Sequence, residues 1–204
     1  GFFFLFSLFT GSLSEIEDYF SGLPELQGES PLAILEKDRP QAYEKYCERD
    51  NDQLPYSIIE SRRPGVILSS LEYSGHVDSL AAVRPKTSKS YKWKALLEAW
   101  KHYGKPYDYE FDFTTESALI CTAVIYVAYM DCPHITLVPR ESKGHLLFTP
   151  NEFAKRFDIN FGTADQEFDF VLFLDTKEKE RVVYDRDVEE FRLSWKRPKW
   201  YILT

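Results

Sequence analysis

The chain has 204 residues, of which 44% are hydrophobic and 28% charged, a balance that excludes a disordered protein and is typical of a globular one. Its 25 Lys and Arg residues face 33 Asp and Glu residues, which gives a net charge of −8. This charge argues against a nucleic-acid binder, because there is no basic surplus to displace counterions from phosphates. Three cysteines cannot all pair within one chain, so we expect a reducing compartment, or at least one free thiol, and a cytoplasmic location.

The first quarter of the chain predicts one strand followed by short helices. Residues 1–11 are rich in phenylalanine but shorter than the roughly 20 apolar residues that span a bilayer, so we predict a buried central strand rather than a membrane anchor. Ser12 and Ser14 each precede a glutamate by three residues and predict capping boxes for a short helix. A second helix is predicted to begin at Pro31, to be interrupted at Pro40 and then to continue.

The rest of the chain alternates predicted strands and helices. The predicted strands lie at 57–60, 65–68, 80–85, 168–174, 181–184 and, at the edge of a sheet, 195–203. The predicted helices run from about 89 to 103, from 117 to 129 and from 150 to 157. No repeat or linker is visible, so we predict a single α+β domain over residues 1–204.

Several common catalytic signatures are absent from the sequence. It has no Gly-rich phosphate loop, no H-E-x-x-H, no paired C-x-x-C and no G-x-S-x-G. Cys132 and His134 are only two ligands, so we expect neither a metal site nor a cofactor. His102 lies within the helix predicted at 89–103, roughly on the face opposite Trp93 and Trp100, and is predicted to be exposed.

Cys121 is the most reactive candidate by its position. It lies about four residues into the helix predicted to begin near Ser117, where the positive end of the helix dipole lowers a thiol's pKa. The alternative is an inert buried thiol, because Cys121 stands between Ile120 and Ala123 in an apolar run.

The surroundings of Cys121 carry a family resemblance. The run from Gly104 to Tyr109, the Phe-Asp-Phe at 111–113 and the segment Leu-Ile-Cys-Thr at 119–122 resemble the YiiX/YebB-like cysteine hydrolases, which are circularly permuted relatives of the NlpC-type papain-like enzymes. Segments at 59–66, 82–85 and 149–152 extend the similarity, so that it covers roughly residues 57 to 158.

The resemblance implies a papain-like fold with a small antiparallel sheet or half-barrel packed on helices. It implies Cys121 as the nucleophile, Glu60 as the carboxylate that orients a histidine base, and Tyr107 with Asp108 as the wall of the substrate site. Without the resemblance, Glu60 reads as a surface carboxylate at a strand end, and Tyr107 with Asp108 reads as part of a turn.

The histidine that the family pattern implies is missing from its place. Leu5 stands six residues before Gly11, where the histidine should be, and Ala123 stands where related sequences often carry a glutamate. Three explanations compete: a degenerate homologue, a mistranslated or truncated N-terminus, or substitution by another histidine. His76 follows Glu60 in the wrong order for the pattern, and His145 reads as a loop residue.

Two functions from different classes therefore stay open. The first is a thiol-dependent hydrolase of an amide, peptide or acyl bond, whose partner is a small-molecule, peptide or acyl-amide substrate. The second is a catalytically inactive binding module that retains the papain-like fold. The sequence specifies neither the substrate nor the oligomeric state.

Overall fold

The structure, a computed structural model, describes residues 6–108, 119–142, 145–176 and 182–197. This part of the chain is α+β, with eight α-helices, two three-stranded antiparallel sheets and a two-stranded ribbon. The helices are α1 (Leu13–Phe20), α2 (Pro31–Asp38), α3 (Pro40–Cys47), α4 (Leu71–Ser74), α5 (Lys89–Lys101), α6 (Cys121–Tyr129), α7 (Pro150–Asn160) and α8 (Val188–Leu193). The strands are β1 (Ser7–Phe9), β2 (Ile58–Arg62), β3 (Gly65–Ser69), β4 (Ser79–Pro85), β5 (Arg140–Ser142), β6 (His145–Leu147), β7 (Phe168–Thr176) and β8 (Val183–Arg186).

The first sheet has the order β1-β2-β3. Ser7 of β1 pairs with Glu60 of β2, and Glu60 pairs in turn with Ile67 of β3. In the part of the chain that the structure describes, β1 is therefore an edge strand, and the prediction of a buried central strand is wrong. The hairpin of β2 with β3 is local and takes one edge of β2, so β1 covers only the other edge, and Phe9 stays 54% exposed.

The second sheet has the order β4-β7-β8, with all neighbours antiparallel. Both long strands were predicted, but the strand predicted at 181–184 is observed at Val183–Arg186, and Arg181 lies outside the described residues. The strand predicted at 195–203 is wrong for the residues up to 197 that the structure describes, because Ser194–Lys196 forms a 3-10 helix that continues α8. Asp187 caps α8 by accepting from the N–H of Glu190, which starts a helix that the sequence analysis missed.

The capping signals predicted most helix starts correctly. Glu15 accepts from the N–H of Ser12 at 2.8 Å and begins α1, whereas the carboxylate of Glu17 instead accepts from the hydroxyl of Ser30 at the start of α2. Thr149 and Glu152 form the predicted box at α7. Pro40 ends α2 and opens α3, as predicted, because proline lacks the donor that a continuous helix needs but suits a first turn.

An aromatic core connects the helices to both sheets. Trp93 and Trp100 of α5 pack edge to face, with their ring centroids 5.9 Å apart. Phe153 of α7 lies 5.2 Å from the ring of Phe6 and 4.9 Å from the ring of Phe168, so it joins the start of β1 to β7. These contacts fix the backbone at Phe6, which contributes to the candidate site.

Candidate active site

Cys121 is the first residue of α6. Its N-cap is Ile120, whose backbone is extended and whose side chain makes no capping bond. The helix predicted from Ser117 therefore begins four residues later, and Ser117 itself lies outside the described residues. At the first helical position the thiol stands beside N–H groups that have no partner inside the helix.

The β2–β3 hairpin holds the chain that leads into α6. The N–H of Val66 donates to the carbonyl of Lys105 at 2.8 Å, and the N–H of Leu119 donates to the carbonyl of Pro106 at 3.0 Å. The buried hydroxyl of Ser61 donates to the carbonyl of Leu119. Because these bonds fix the residue two places before Cys121, the start of α6 is tied to the first sheet.

Backbone donors act on the Cys121 thiol. Hydrogen bonding from the N–H groups of Phe6, Thr122 and Cys121 itself lowers the pKa of the thiol. The N–H of Phe6 comes from the strand next to the helix, and ring packing on Phe153 fixes it in place. Such a cluster of donors suits an anion, either a thiolate or an oxygen that gains charge at an attacked carbonyl.

The Cys121 thiol is nevertheless harder to ionise than an ordinary cysteine. Burial raises the pKa of the Cys121 thiol, the three N–H groups lower it, and the nearby Glu60 carboxylate raises it again, with a net shift upward. The expectation that the helix start lowers this pKa is wrong, because desolvation of the charged form outweighs the backbone donors.

Glu60 is fully buried in the middle of the first sheet. Its Oε1 accepts from the hydroxyls of Ser69 at 2.8 Å and Ser74 at 3.0 Å, and it lies 3.4 Å from a guanidinium nitrogen of Arg62. Its Oε2 is buried without a hydrogen-bond partner among the described atoms. The reading of Glu60 as a surface carboxylate is therefore wrong, because the sheet and α4 cover it.

The other two predicted site residues lie beside the entry to α6. Tyr107 forms a parallel bridge with Leu119, and its N–H donates to the carbonyl of Pro64 at 3.1 Å. Asp108 is buried, and its N–H donates to the carbonyl of Leu119 at 3.4 Å. The backbone thus brings both residues near Cys121, and their role as a substrate wall stays a prediction.

Among the described side chains, the hydrogen-bond partners of Glu60 are two serines and an arginine, and no histidine is one of them. His76 is exposed just after α4, and His134 is exposed after α6. His102 is fully buried and lies 3.1 Å from Glu98, so the prediction that it is exposed is wrong. It is the C-cap of α5, and the chain just beyond it is tied to β3 by the bond from the N–H of Gly104 to the carbonyl of Val66. The side chain of His145 and all of Leu5 lie outside the described residues.

The remaining cysteines are elsewhere. Cys47 is exposed at the end of α3, and Cys132 is buried with its sulfur 3.3 Å from the hydroxyl of Thr87. Within the described ranges, no three His, Cys, Asp or Glu side chains are grouped so as to hold a metal ion.

Sequence reasoning missed the residues that support the site. Ser69 could have been found, because two-residue alternation places it on the same face of β3 as Ile67, the partner of Glu60. Ser74 could not, because α4 is a helix of four residues with no periodic pattern. The donor at Phe6 is a backbone group, which the identity of the side chain does not reveal.

The raised pKa predicts how Cys121 reacts with iodoacetamide. We expect its alkylation rate to keep rising with pH beyond the ordinary thiol pKa of about 8.5, because only the thiolate attacks. Glu60→Gln should move the profile to lower pH, since it removes a negative charge that disfavours the thiolate. Peptide mapping by mass spectrometry measures the alkylation rate at each cysteine. The exposed Cys47 is the internal control that shows the reagent to be active. A profile centred below 8 in the unaltered protein would contradict this electrostatic account.

No protein-family model matches the chain, and no curated protein matches it. Among solved structures, the chain is similar to the metalloprotein yiiX from Escherichia coli O157:H7, with 14% sequence identity and a TM-score of 0.39. The alignment covers 68% of this chain and 78% of that one. A similarity at this level establishes neither a common fold nor a common activity.

A membrane-spanning helix is not found in the described ranges, where no helix is both long and apolar enough to cross a bilayer.

Proposed function

We propose that this chain is a thiol-dependent hydrolase of an amide, peptide or acyl bond, built as one circularly permuted papain-like domain over residues 1–204. The observation that carries the proposal is the placement of Cys121 at the first position of α6, where the backbone N–H groups of Phe6, Thr122 and Cys121 itself lower the pKa of its thiol against the effect of burial. An inert core cysteine has no need of such donors. A nucleophilic cysteine uses them twice, to stabilise its thiolate and then to stabilise the oxygen that gains charge at the attacked carbonyl.

The chemistry follows from this geometry. The Cys121 sulfur, once it has lost its proton, attacks the substrate carbonyl carbon, and the carbonyl oxygen takes the negative charge beside the N–H groups. Collapse of this intermediate breaks the bond to the leaving amine or alcohol, which takes a proton, and leaves a thioester. Water then attacks the thioester, releases the acid and returns the proton to sulfur.

The proposed roles of the other residues depend on their distance from the reacting atoms. Glu60 is a positioning residue, which orients a base rather than attacks the substrate. Tyr107 and Asp108 flank Leu119 and line the approach to the thiol. The substrate is a small molecule, a peptide or an acyl amide.

A second candidate function is a binding module without turnover. Two observations favour it: position 5 carries leucine, and burial raises the pKa of the Cys121 thiol. A neutral thiol without a base attacks amides slowly, so such a protein would bind its ligand and release it unchanged.

Hydrolysis of a p-nitrophenyl ester separates the two. We expect slow release of nitrophenol that Cys121→Ala abolishes, because the sulfur is the attacking atom. Cys47→Ala is the matched control and should keep the full rate, since that exposed thiol lies at the end of α3. Equal rates for the unaltered protein and Cys121→Ala would remove the hydrolase proposal and leave the binding module.

A further inference from the structure

The strand β4 lies at the edge of the second sheet and has seven residues. One side of it pairs with β7, and in the part of the chain that the structure describes no strand pairs with the other side. The opposite edge of this sheet is β8, which has only four residues, two of them charged. A long edge strand with unpaired backbone groups is a template for another strand.

The hydrogen bonds at the two ends of β4 show which of its backbone groups face β7. The N–H of Lys86 donates to the carbonyl of Glu167 at 2.8 Å, and the carbonyl of Asp78 accepts from the N–H of Thr176 at 2.9 Å. Backbone groups alternate in direction along a strand. Both ends therefore agree that the even-numbered residues of β4 bond to β7.

The odd-numbered residues of β4 direct their backbone groups away from the sheet. The one irregularity of the ladder adds its extra residue, Val171, to β7, so the alternation in β4 is unbroken. Ser79, Ala81 and Val83 thus offer an N–H and a carbonyl outward. Pro85 offers only a carbonyl, because proline has no N–H, and for that reason it fits at an edge.

This edge carries little of the usual protection against another strand. Within β4 only Arg84 is charged, and the one proline is the last residue. Two opposite charges, Asp78 and Lys86, flank the strand, and both side chains are exposed. Among the described side chains, neither of them forms an ion pair.

We propose that β4 pairs with β4 of a second copy of this chain, antiparallel about a two-fold axis at Ala82, which joins the two second sheets into one sheet of six strands. In this register the backbone groups of Ala81 bond to those of Val83 of the second copy, and symmetry repeats the exchange. The N–H of Ser79 donates to the carbonyl of Pro85 of the second copy. The missing N–H of proline therefore costs one bond at each end.

The charges select the second copy as the partner and fix the register. With the axis at Ala82, Asp78 lies directly opposite Lys86 of the second copy, and symmetry forms this ion pair twice. Both residues belong to the even-numbered set, which forms the non-hydrogen-bonded pairs across the axis, where facing side chains are closest. Within one copy the two residues are eight apart, or about 26 Å along a strand, so they cannot pair with each other.

The expected dimer is weak and reversible. About six backbone hydrogen bonds and two exposed ion pairs hold it, over less area than a standard interface, so we expect a dissociation constant on the order of 10 μM. Cys121 lies at the start of α6 beside the first sheet, and the inference does not depend on its chemistry.

Sedimentation velocity of the full chain from about 1 to 100 μM tests the pairing. We expect the mass to rise toward twice that of one chain. Asp78→Lys and Lys86→Asp should each weaken the dimer by about tenfold or more, because each turns two attractive pairs into two repulsive ones. The double variant, Asp78→Lys with Lys86→Asp, should restore it.

A matched control separates the ion pair from the change in net charge. Asp18→Lys makes the same change in charge as Asp78→Lys at an exposed position on α1, and it should leave the dissociation constant unchanged. All of these substitutions replace exposed side chains, so we expect each variant to fold.

Hydrogen exchange followed by NMR locates the contact on β4. The N–H groups of Ala81 and Val83 should exchange more slowly as the protein concentration rises, because the second copy accepts from them. The N–H groups of Leu80 and Ala82 bond to β7 in either state and should not change, which makes them internal controls.

Four results overturn the inference. The mass of one chain at every concentration does so and leaves the edge to an extended peptide of another protein. A dimer that neither single variant weakens, a double variant no tighter than the single ones, or a dimer without added protection at Ala81 and Val83 also does so.

Discussion

Replacing Leu5 with histidine is expected to raise the rate of ester hydrolysis by about 100-fold or more, the usual contribution of a positioned general base. Position 5, which lies outside the described residues, directly precedes Phe6, whose N–H lowers the pKa of the Cys121 thiol. Oε2 of the buried Glu60 carboxylate has no hydrogen-bond partner among the described atoms, so we expect it to orient the new imidazole. Values of kcat/KM for the variant and the unaltered protein measure the gain.

The control for this variant places a histidine elsewhere on the same strand. Phe9→His changes an exposed position at the far end of β1 and should leave the rate unaltered. A Leu5→His variant that folds, labels at Cys121 and hydrolyses no faster would contradict the role of Glu60 as an orienting carboxylate. The binding module would then be the better account of the chain.

Gly65→Ala is expected to destabilise the protein by about 3 kcal/mol, at the upper end of the usual cost of overpacking. A Cβ at this position would lie 2.2 Å from the backbone carbonyl oxygen of Lys105, where β3 meets the chain that leads to Pro106. Backbone cannot rotate away as a flexible side chain does, so strand and loop must separate. Thermal unfolding should show a loss in Tm of about 6–12 °C for a chain of this size.

The control for Gly65→Ala separates the clash from the loss of glycine. Gly28→Ala occupies a left-handed backbone position with nothing within 4 Å of the added Cβ, so we expect a loss of only about 1 kcal/mol. If both variants lose the same stability, the close approach of β3 and Lys105 does not hold the loop before Cys121.

The elements that the sequence predicts well are those with local signals. Capping boxes marked α1 and α7, and the proline at 40 divided α2 from α3, because these signals act within one turn. The strands of both sheets followed from β-branched and aromatic runs. Among the missed elements, α4 and the ribbon of β5 with β6 have only three or four residues each and α8 has six, too few for a period to appear.

The sequence names Cys121 and Glu60 as candidate site residues, and their roles stay predictions. The charge of Glu60 raises the pKa of the Cys121 thiol. The direction of the thiol pKa depends on burial by neighbouring elements, which the helix position alone does not reveal. The hydroxyls of Ser69 and Ser74 reach Glu60 through a turn and a short helix, and no local pattern predicts that meeting.

His102 illustrates how tertiary packing overrides a helical-wheel argument. It lies one residue beyond α5, where the regular period no longer applies, and its backbone carbonyl accepts from the N–H of Lys105 at 3.1 Å. The ring is fully buried, and Glu98 supplies a partner for it. An exposed histidine at a helix end was therefore a poor prediction.

The protein is incubated with an acyl thioester, and intact-mass and peptide mass spectrometry then identify the residue that carries the transferred acyl group. The account predicts one added acyl group on the peptide that contains Cys121, its loss in Cys121→Ala, and its unchanged yield in Cys47→Ala. An adduct confined to Cys47, or none on a folded protein whose Cys121 still reacts with iodoacetamide, would contradict the account.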